Sequence, residues 1–304
     1  MREVTGLMTD EVTGSLLNFQ AGGLREDGVH DPSGLMRAFL DDPSPDFVAI
    51  CEAKEWHRDG ERPFLAAMRE LSVLSGRPYV GELHTGPIGT AIIYDPNILC
   101  LLQGEDPRYP DRRNRARFAL RADGMRRFDL RTEHWSYSDS SERFARAQRL
   151  AQYGTSEIPT LVMGDLNESA SGPDFPDLDW DTVPIEVRDY VAYRNEHGDW
   201  MRQSSALDRL TGPYDAASGG RIDSSGFHIV AEQDPLAVRP FPATSNVRNL
   251  HVDYALMNDA MRRAADVVAG SYHVHVPAGG RSRWPSDHRR ISFALRFRRD
   301  RKAA

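Results

Sequence analysis

Short apolar runs separated by turn signals recur along the whole chain, and this pattern constrains the fold more than any other feature. Candidate strands are Ser15–Gln20, Asp46–Cys51, Gly89–Tyr94, Arg117–Arg121, Arg127–His134, Thr160–Met163, Val252–Met257, Ser271–Val276 and Ile291–Phe297. Asp123-Gly124 between two of them reads as a hairpin turn. Helical spacing is confined to Ser33–Leu40, Pro63–Leu74 and Ser141–Gln152, the first with Ser33 as its N-cap and Pro43 just beyond its end. Many strands with few helices bury their apolar faces most simply as two packed sheets flanked by helices. The chain has 304 residues and no internal repeat. It is expected to form a single domain over 1–304, with a loop-rich, substrate-facing insertion at about 168–249. That insertion is rich in Asp, Gly, Pro and aromatics, including Trp180, Tyr190, Tyr193, Trp200 and Tyr214.

Net charge is −7, but it is unevenly placed. Residues 108–149 hold 12 Arg against 6 acids, and 281–302 hold 9 basic residues against 2 acids. Residues 164–200 are the reverse, with 10 acids against 2 Arg. Basic stretches attract phosphates, although solvated faces that cancel one another account for the same counts. Cys51 and Cys100 match no zinc or redox spacing and read as buried free thiols. No apolar run approaches the roughly 18 residues of a membrane span, so a soluble, cytoplasmic chain with no membrane partner is expected.

The chemistry-bearing residues stand at the ends of the apolar runs. In Gly164-Asp165-Leu166-Asn167 the carboxylate and the amide are two apart, so an extended chain sends both to the same face. Such a pair orients a water and holds a phosphoryl oxygen; a strand-end turn uses the same residues. Ser286-Asp287-His288 precedes the last strand and offers a hard oxygen ligand beside a proton carrier, or a simple N-cap-like turn. Asp253, after His251-Val252, is placed to accept a hydrogen bond from His288, which fixes its tautomer and raises its pKa; alone, it reads as a strand-edge carboxylate.

Taken together and in this order, these elements resemble the endonuclease/exonuclease/phosphatase superfamily, the DNase I-like fold. Leu17-Asn18-Phe19-Gln20 is similar to its first-strand asparagine, and Asp46–Glu52 to its second strand ending in a metal-binding glutamate. Arg131-Thr132-Glu133-His134-Trp135 is similar to its Thr-His step, and Ser141–Gln152, with Arg146 and Gln148, to the helix that follows. The resemblance spans about 15–297 and implies an α+β fold: a four-layer α/β/β/α sandwich of two mostly antiparallel sheets flanked by helices. The chain departs from the family at Cys51-Glu52, where Gln-Glu is usual, and at His251-Val252-Asp253, where Arg-Ile-Asp is common. The second departure bears on phosphate contact.

The resemblance implies that Glu52 and Asp287 bind a divalent cation, with Asn18 and also Asn167 beside it. It implies that Asp165 activates the attacking water, and that His134 and His288, the latter held by Asp253, contact the scissile phosphate. Independently of the family, carboxylates crowded into one cleft repel one another, a dication relieves that repulsion, and all-oxygen ligation favours Mg²⁺ or Mn²⁺ over zinc. The expected activity is metal-dependent hydrolysis of a phosphodiester, nucleic acid favoured. The alternatives are a phosphatase or phosphodiesterase for a small phosphorylated metabolite and a non-catalytic binding module on the same fold. Oligomeric state is left open. Of the remaining polar residues, His57 lies near Glu52 and Glu55 with the rim of the site as a minor alternative, Arg112, Arg113 and Arg115 read first as a solvated loop or as partners of aspartates and second as a phosphate contact, and His84, His197, His228, His273 and His275 read as surface or strand histidines.

Overall fold

The computed structural model describes residues 10–42, 44–106, 108–109, 113–122, 124–276 and 286–298. Pro43, Arg112, Asp123 and the Trp284-Pro285 step before the last motif lie outside them. Two large sheets dominate. The first contains β1 (Glu11–Asn18), β2 (Phe47–Cys51), β3 (Val80–His84), β4 (Thr90–Tyr94), β15 (Ala265–Val267), β16 (His273–Val274) and β17 (Ile291–Phe297), in the order β15-β17-β1-β2-β4-β3 with β16 also on β17. The second contains β5 (Leu99–Gln103), β6 (Arg115–Leu120), β7 (Arg127–His134), β8 (Thr160–Asp165), β13 (Phe227–Ile229) and β14 (Asp253–Asn258), in the order β13-β14-β8-β7-β6-β5. Each sheet is antiparallel except at one parallel pair, β1 with β2 and β7 with β8. This is the mixed α+β sandwich expected from the sequence.

Strand alternation builds the layers. Leu16, Phe47, Ala49, Cys51 and Ile92 of the first sheet belong to one buried cluster with Phe118, Phe128, Leu130, Leu161 and Met163 of the second. The alternate residues Leu17, Val48, Ile50, Ala91 and Ile93 pack with α1 (Ser33–Ala38) and α2 (Arg58–Ser75) through Leu35, Phe64, Ala67 and Leu71. Burying one such aliphatic side chain contributes roughly 1.5–3 kcal/mol. Beyond the second sheet lies α3 (Ser140–Ala151), capped by Asp139, whose carboxylate accepts from the N–H groups of Ser141 (2.9 Å) and Glu142 (3.1 Å).

The helix expected over Pro63–Leu74 is present within α2, and two other expectations need correction. Ser33 is not an N-cap: Pro32 holds that position, and the Ser33 N–H is taken by Asp31 Oδ1 at 2.9 Å. In α2, Asp59, Gly60 and Glu61 have φ of 51°, 65° and 64°, so the regular helix starts near Arg62, with Pro63 in a first turn that loses nothing by its missing N–H. The stretch 168–249 is more structured than a loop-rich insertion. It contains α4 (Ile185–Val191), β9 (Ala192–Arg194), β10 (Trp200–Arg202), α5 (Ser205–Thr211), β11 (Tyr214–Asp215), β12 (Gly220–Arg221), β13 and α6 (Val230–Gln233). Leu207 and Leu210 of α5 join the main core, and β13 extends the second sheet against β14. A further helix, α7 (Asp259–Ala264), follows β14. Among the described residues no helix is long and apolar enough to cross a membrane.

Candidate active site

Strand ends from both sheets meet at one edge of the sandwich. Parallel pairing puts the C-terminal ends of β1 and β2 together in one sheet, and those of β7 and β8 together in the other. β14 and β17 run antiparallel to them and therefore begin where the others end. Register then sets the neighbours: His134 is opposite Asp165, Asp165 opposite Asp253, and Asn18 opposite Cys51.

Asp165 sits at the centre. Its Oδ2 accepts from Asn18 Nδ2 at 2.9 Å, a bond that joins the two sheets. His134 Nε2 and His288 Nε2 each lie 3.7 Å from the same oxygen. Its Oδ1 accepts from the Asn167 N–H at 2.9 Å. The strand ends at Asp165, and Asn167 has φ of 51°. The shared location of these two side chains therefore comes from a turn, not from the extended alternation expected. Asn167 Nδ2 donates to the Trp135 carbonyl at 3.0 Å, so the turn is pinned to the end of β7.

His288 is held from its other nitrogen: Nδ1 lies 2.7 Å from Asp253 Oδ2. Burial opposes a charged imidazole, but Asp253 and then Asp165 outweigh it and raise the His288 pKa to about 10. Asp253 is buried, and the Thr244 hydroxyl accepts the N–H groups of Val252 and Asp253 at 2.9 and 3.0 Å, which fixes the strand start. Asp165, Asp253 and His288 offer ligand atoms within 4.8 Å of one another, a group that could hold a metal ion.

A second set of oxygens borders this one. Glu52 has φ of 60° and accepts the Ala21 N–H at Oε2, 2.6 Å away. Burial raises the Asp287 carboxyl, His288 lowers it, and the charge on Glu52 raises it again, so the two carboxylates feel each other. Ser286 fastens this turn to β1, donating to the Asn18 carbonyl at 2.6 Å and accepting the Gln20 N–H at 3.1 Å. Asn18 Oδ1 is buried with no hydrogen-bond partner among the described residues. Cys51 is buried between the sheets, and burial holds its thiol well above the usual range, so it packs as a neutral group.

Sequence reasoning missed Arg248. Its Nη1 donates to Asn167 Oδ1 at 2.8 Å, and its guanidinium lies 5.8 Å from the ring centre of Tyr137. Burial lowers its pKa while Asp165 and Asp287 pull it back, and a guanidinium stays protonated throughout. His251, which stands where the family commonly has Arg, lies in the core. Its ring packs on Phe175, Phe241 and Tyr254, Nδ1 is 2.8 Å from the Pro242 carbonyl oxygen, and burial lowers its pKa to about 4. The cation near Asn167 thus comes from the loop before β14. The exposed Tyr137 and Tyr190 meet edge to face at 5.9 Å beside it.

Other expected positions lie elsewhere. Arg115 is spent on Asp129, at 3.2 Å in the second sheet. His57 is exposed at the start of α2. His84 is a strand histidine, but a buried one, with its pKa lowered to about 4 by burial.

Among known structures of similar shape are D. rerio TDP2 complexed with a single-strand DNA product and the human Nocturnin catalytic domain with a bound sulfate anion. The first is 17% identical with a TM-score of 0.54, over 94% of this chain and 98% of that one. The second is 14% identical with a TM-score of 0.52, over 95% and 94%. A mannosyl-6-phosphatase from Bacteroides thetaiotaomicron is 14% identical with a TM-score of 0.50, over 93% and 99%. No curated protein matches the sequence. The pattern of the endonuclease/exonuclease/phosphatase family matches residues 17–288, the span that holds all eight side chains expected at the site, and the chain belongs to that family.

Proposed function

We propose that this chain hydrolyses a phosphodiester, with nucleic acid as the favoured substrate, by in-line attack of a water activated at Asp165. The convergence of Asn18, His134 and His288 on one Asp165 oxygen carries this reading. A buried carboxylate held by these neighbours is oriented toward a single position, where it can take the water's proton. Asn167 and Arg248 sit on one side of that position and offer donors to phosphoryl oxygens. The imidazolium of His288, steadied by Asp253, places a second positive charge where negative charge builds up. His134 supplies a further contact from β7.

Glu52, Asp287 and Asn18 fit a divalent cation. Two carboxylates raise each other's energy there, and an orphaned buried amide oxygen lies beside them. Their donors are all oxygen, which suits Mg²⁺ or Mn²⁺. When bound, such an ion would neutralise the carboxylates and stabilise charge on the phosphoryl oxygens. Asp165, Asp253 and His288 are the weaker set for a metal, because His288 Nδ1 is already engaged by Asp253 and its positive charge repels a cation.

Two observations favour nucleic acid: the exposed Tyr137–Tyr190 pair next to Arg248, a surface for stacked bases, and the similar fold of a protein complexed with single-strand DNA. The mannosyl-6-phosphatase of similar fold keeps a small phosphorylated substrate as the second reading. The test is turnover by the purified protein with Mg²⁺ or Mn²⁺ on single- and double-stranded DNA, RNA, bis-p-nitrophenyl phosphate and p-nitrophenyl phosphate. Diester cleavage abolished by EDTA is expected. Exclusive monoester cleavage overturns the diesterase reading, and restoration by Zn²⁺ but not Mg²⁺ or Mn²⁺ overturns the oxygen-ligand set.

A further inference from the structure

The two sheets open into a groove of about 640 Å³ that His134 borders and that otherwise holds none of the residues assigned above. Its lip is the turn Thr85–Gly89 between β3 and β4, and its far wall is α3. Four arginines reach it from three elements: Arg113 just before β6, Arg131 on β7, and Arg146 and Arg149 on α3. Arg146 and Arg149 are three apart and so share a helix face. Arg146 is partly committed to Glu142 and to the His134 carbonyl. Arg149 is exposed, and its guanidinium forms no hydrogen bond or ion pair with a described residue.

Among the described residues the one acid lining the groove is Glu133, 3.6 Å from Arg146, where burial favours the neutral carboxyl and the arginines oppose that. The groove is therefore net positive, and its concave protein walls concentrate the field. One further group in the wall lacks a partner. His84 is 1% exposed, its Nδ1 lies 3.2 Å from the Thr90 hydroxyl, and its Nε2 has no hydrogen-bond partner among the described residues. A buried ring nitrogen facing no acceptor or donor is costly, and a ligand in the groove would relieve it.

We propose that this groove is a second phosphate-binding subsite, which takes a phosphate of the substrate other than the one cleaved at Asp165. The charge comes from separate elements gathered on one concave surface, which sets it apart from a solvated face of one helix. The exposed Ile88 on the lip and the ring of Tyr153, which carries Arg131 at 4.0 Å on its face, give the same groove apolar surface for a sugar or base. The occupant is therefore a phosphate on a nucleotide unit neighbouring the scissile ester. This deepens the phosphodiesterase reading and rests on it for where the scissile ester sits.

Binding in EDTA tests the subsite without turnover. A fluorescent single-stranded DNA 8-mer is titrated against the full chain and against Arg149→Glu, Arg113→Glu and Arg263→Glu, across salt concentrations. Arg263 lies on α7 at the opposite end of β14, so it carries the same charge change away from the groove. The expected result for the two groove variants is binding weakened ~10-fold at low salt and a log–log salt slope shallower by ~0.7. Arg263→Glu should keep the original affinity and slope.

With Mg²⁺, the ratio of oligonucleotide to bis-p-nitrophenyl phosphate kcat/KM should fall in the groove variants. Competition by a nucleoside 3′,5′-bisphosphate assigns the phosphate to a small substrate if it displaces the 8-mer from the unsubstituted chain and not from Arg149→Glu. Failure to compete assigns it to a polymer. Equal weakening in all three variants, or no weakening in either groove variant, overturns the subsite. Absence of bis-p-nitrophenyl phosphate turnover by the unsubstituted chain overturns the diesterase reading alone, since the EDTA titration does not depend on it.

Discussion

The floor of the cleft and its wall are built by different means. On the floor, Asn18, His134, Asp165 and Asp253 all belong to strands, and their neighbours follow from register. Ladder pairing fixes each Cα, on both sides for Asp165 and on one side for the other three, so the side chains need little else to aim them. On the wall, Tyr137, Tyr190 and Arg248 come from three loops or helix edges and meet through contacts spanning up to 111 residues. Their anchors are few and polar. The chief one is Arg143, wholly buried on α3, which binds Glu168 at 3.1 Å and the Tyr190 carbonyl at 2.8 Å. A floor held by backbone and a wall held by side chains should respond differently to substitution: floor variants lose chemistry, wall variants lose substrate.

Asp165→Asn should give the largest effect. The amide keeps the shape and can still accept from Asn18, but it cannot take a proton, so kcat should fall by ~10²–10⁴-fold. An unchanged thermal midpoint would show that only the chemistry was lost, and retained turnover would remove Asp165 from the reaction. Arg248→Met comes next and tests the boundary between the two regions. Loss of one preorganised donor to developing charge is worth ~10²–10³-fold in kcat. A rise in KM with kcat intact would move Arg248 from the floor's chemistry to the wall's binding.

The same division explains what could be read from the sequence. The floor was legible because alternating apolar runs locate central strands and the polar residue ending each run locates the site. Asn18, Glu52, His134, Asp165, Asn167, Asp253, Asp287 and His288 were all named as candidates that way or through the family resemblance. The strands of the two large sheets that were not expected, β3, β5, β13 and β15, all lie at sheet edges. Edge strands are short and half exposed, so their patterns are diluted: Val80–His84 reads VGELH, with its first residue exposed. Arg248 was not legible because no spacing links it to Asn167, 81 residues away. The place of His251 was not legible for a related reason. A histidine before the aspartate looks like a replacement cation until its burial among Phe175, Phe241 and Tyr254 is known.

Asp253→Asn sharpens the contrast within the floor itself, with a smaller effect that depends on pH. In the unsubstituted chain the His288 pKa is raised to about 10, so the imidazolium persists well above neutrality. The amide removes one of the carboxylates that hold the proton, and the pKa should fall toward the ordinary ~6.5. The alkaline limb of kcat/KM should therefore move to lower pH, with activity near pH 6 little changed and a loss of ~10-fold or more near pH 8. The stabilising part of that protonation is fully present below ~6.5 and is lost as pH rises through about 10, so the thermal midpoint of the variant should lie furthest below that of the unsubstituted chain at pH below ~6.5, and the gap should close toward pH 10. A limb that stays in place would mean that Asp165 alone holds the proton.

Tyr190→Ala should have the smallest effect, and it addresses the wall most directly. Tyr190 is exposed and its ring meets the site through Tyr137, so neither stability nor turnover of bis-p-nitrophenyl phosphate should respond. Base stacking on an aromatic side chain contributes ~1–3 kcal/mol; a ring that shares its platform with Tyr137 should stay at the lower end, a ~5-fold rise in KM for single-stranded DNA with kcat unchanged. The comparison with duplex DNA matters most, because paired bases are already stacked and offer no free face to the tyrosines. A KM rise confined to single strands supports a wall that reads unstacked bases, an equal rise for both forms means that it reads backbone, and no rise for either removes Tyr137–Tyr190 from the substrate path.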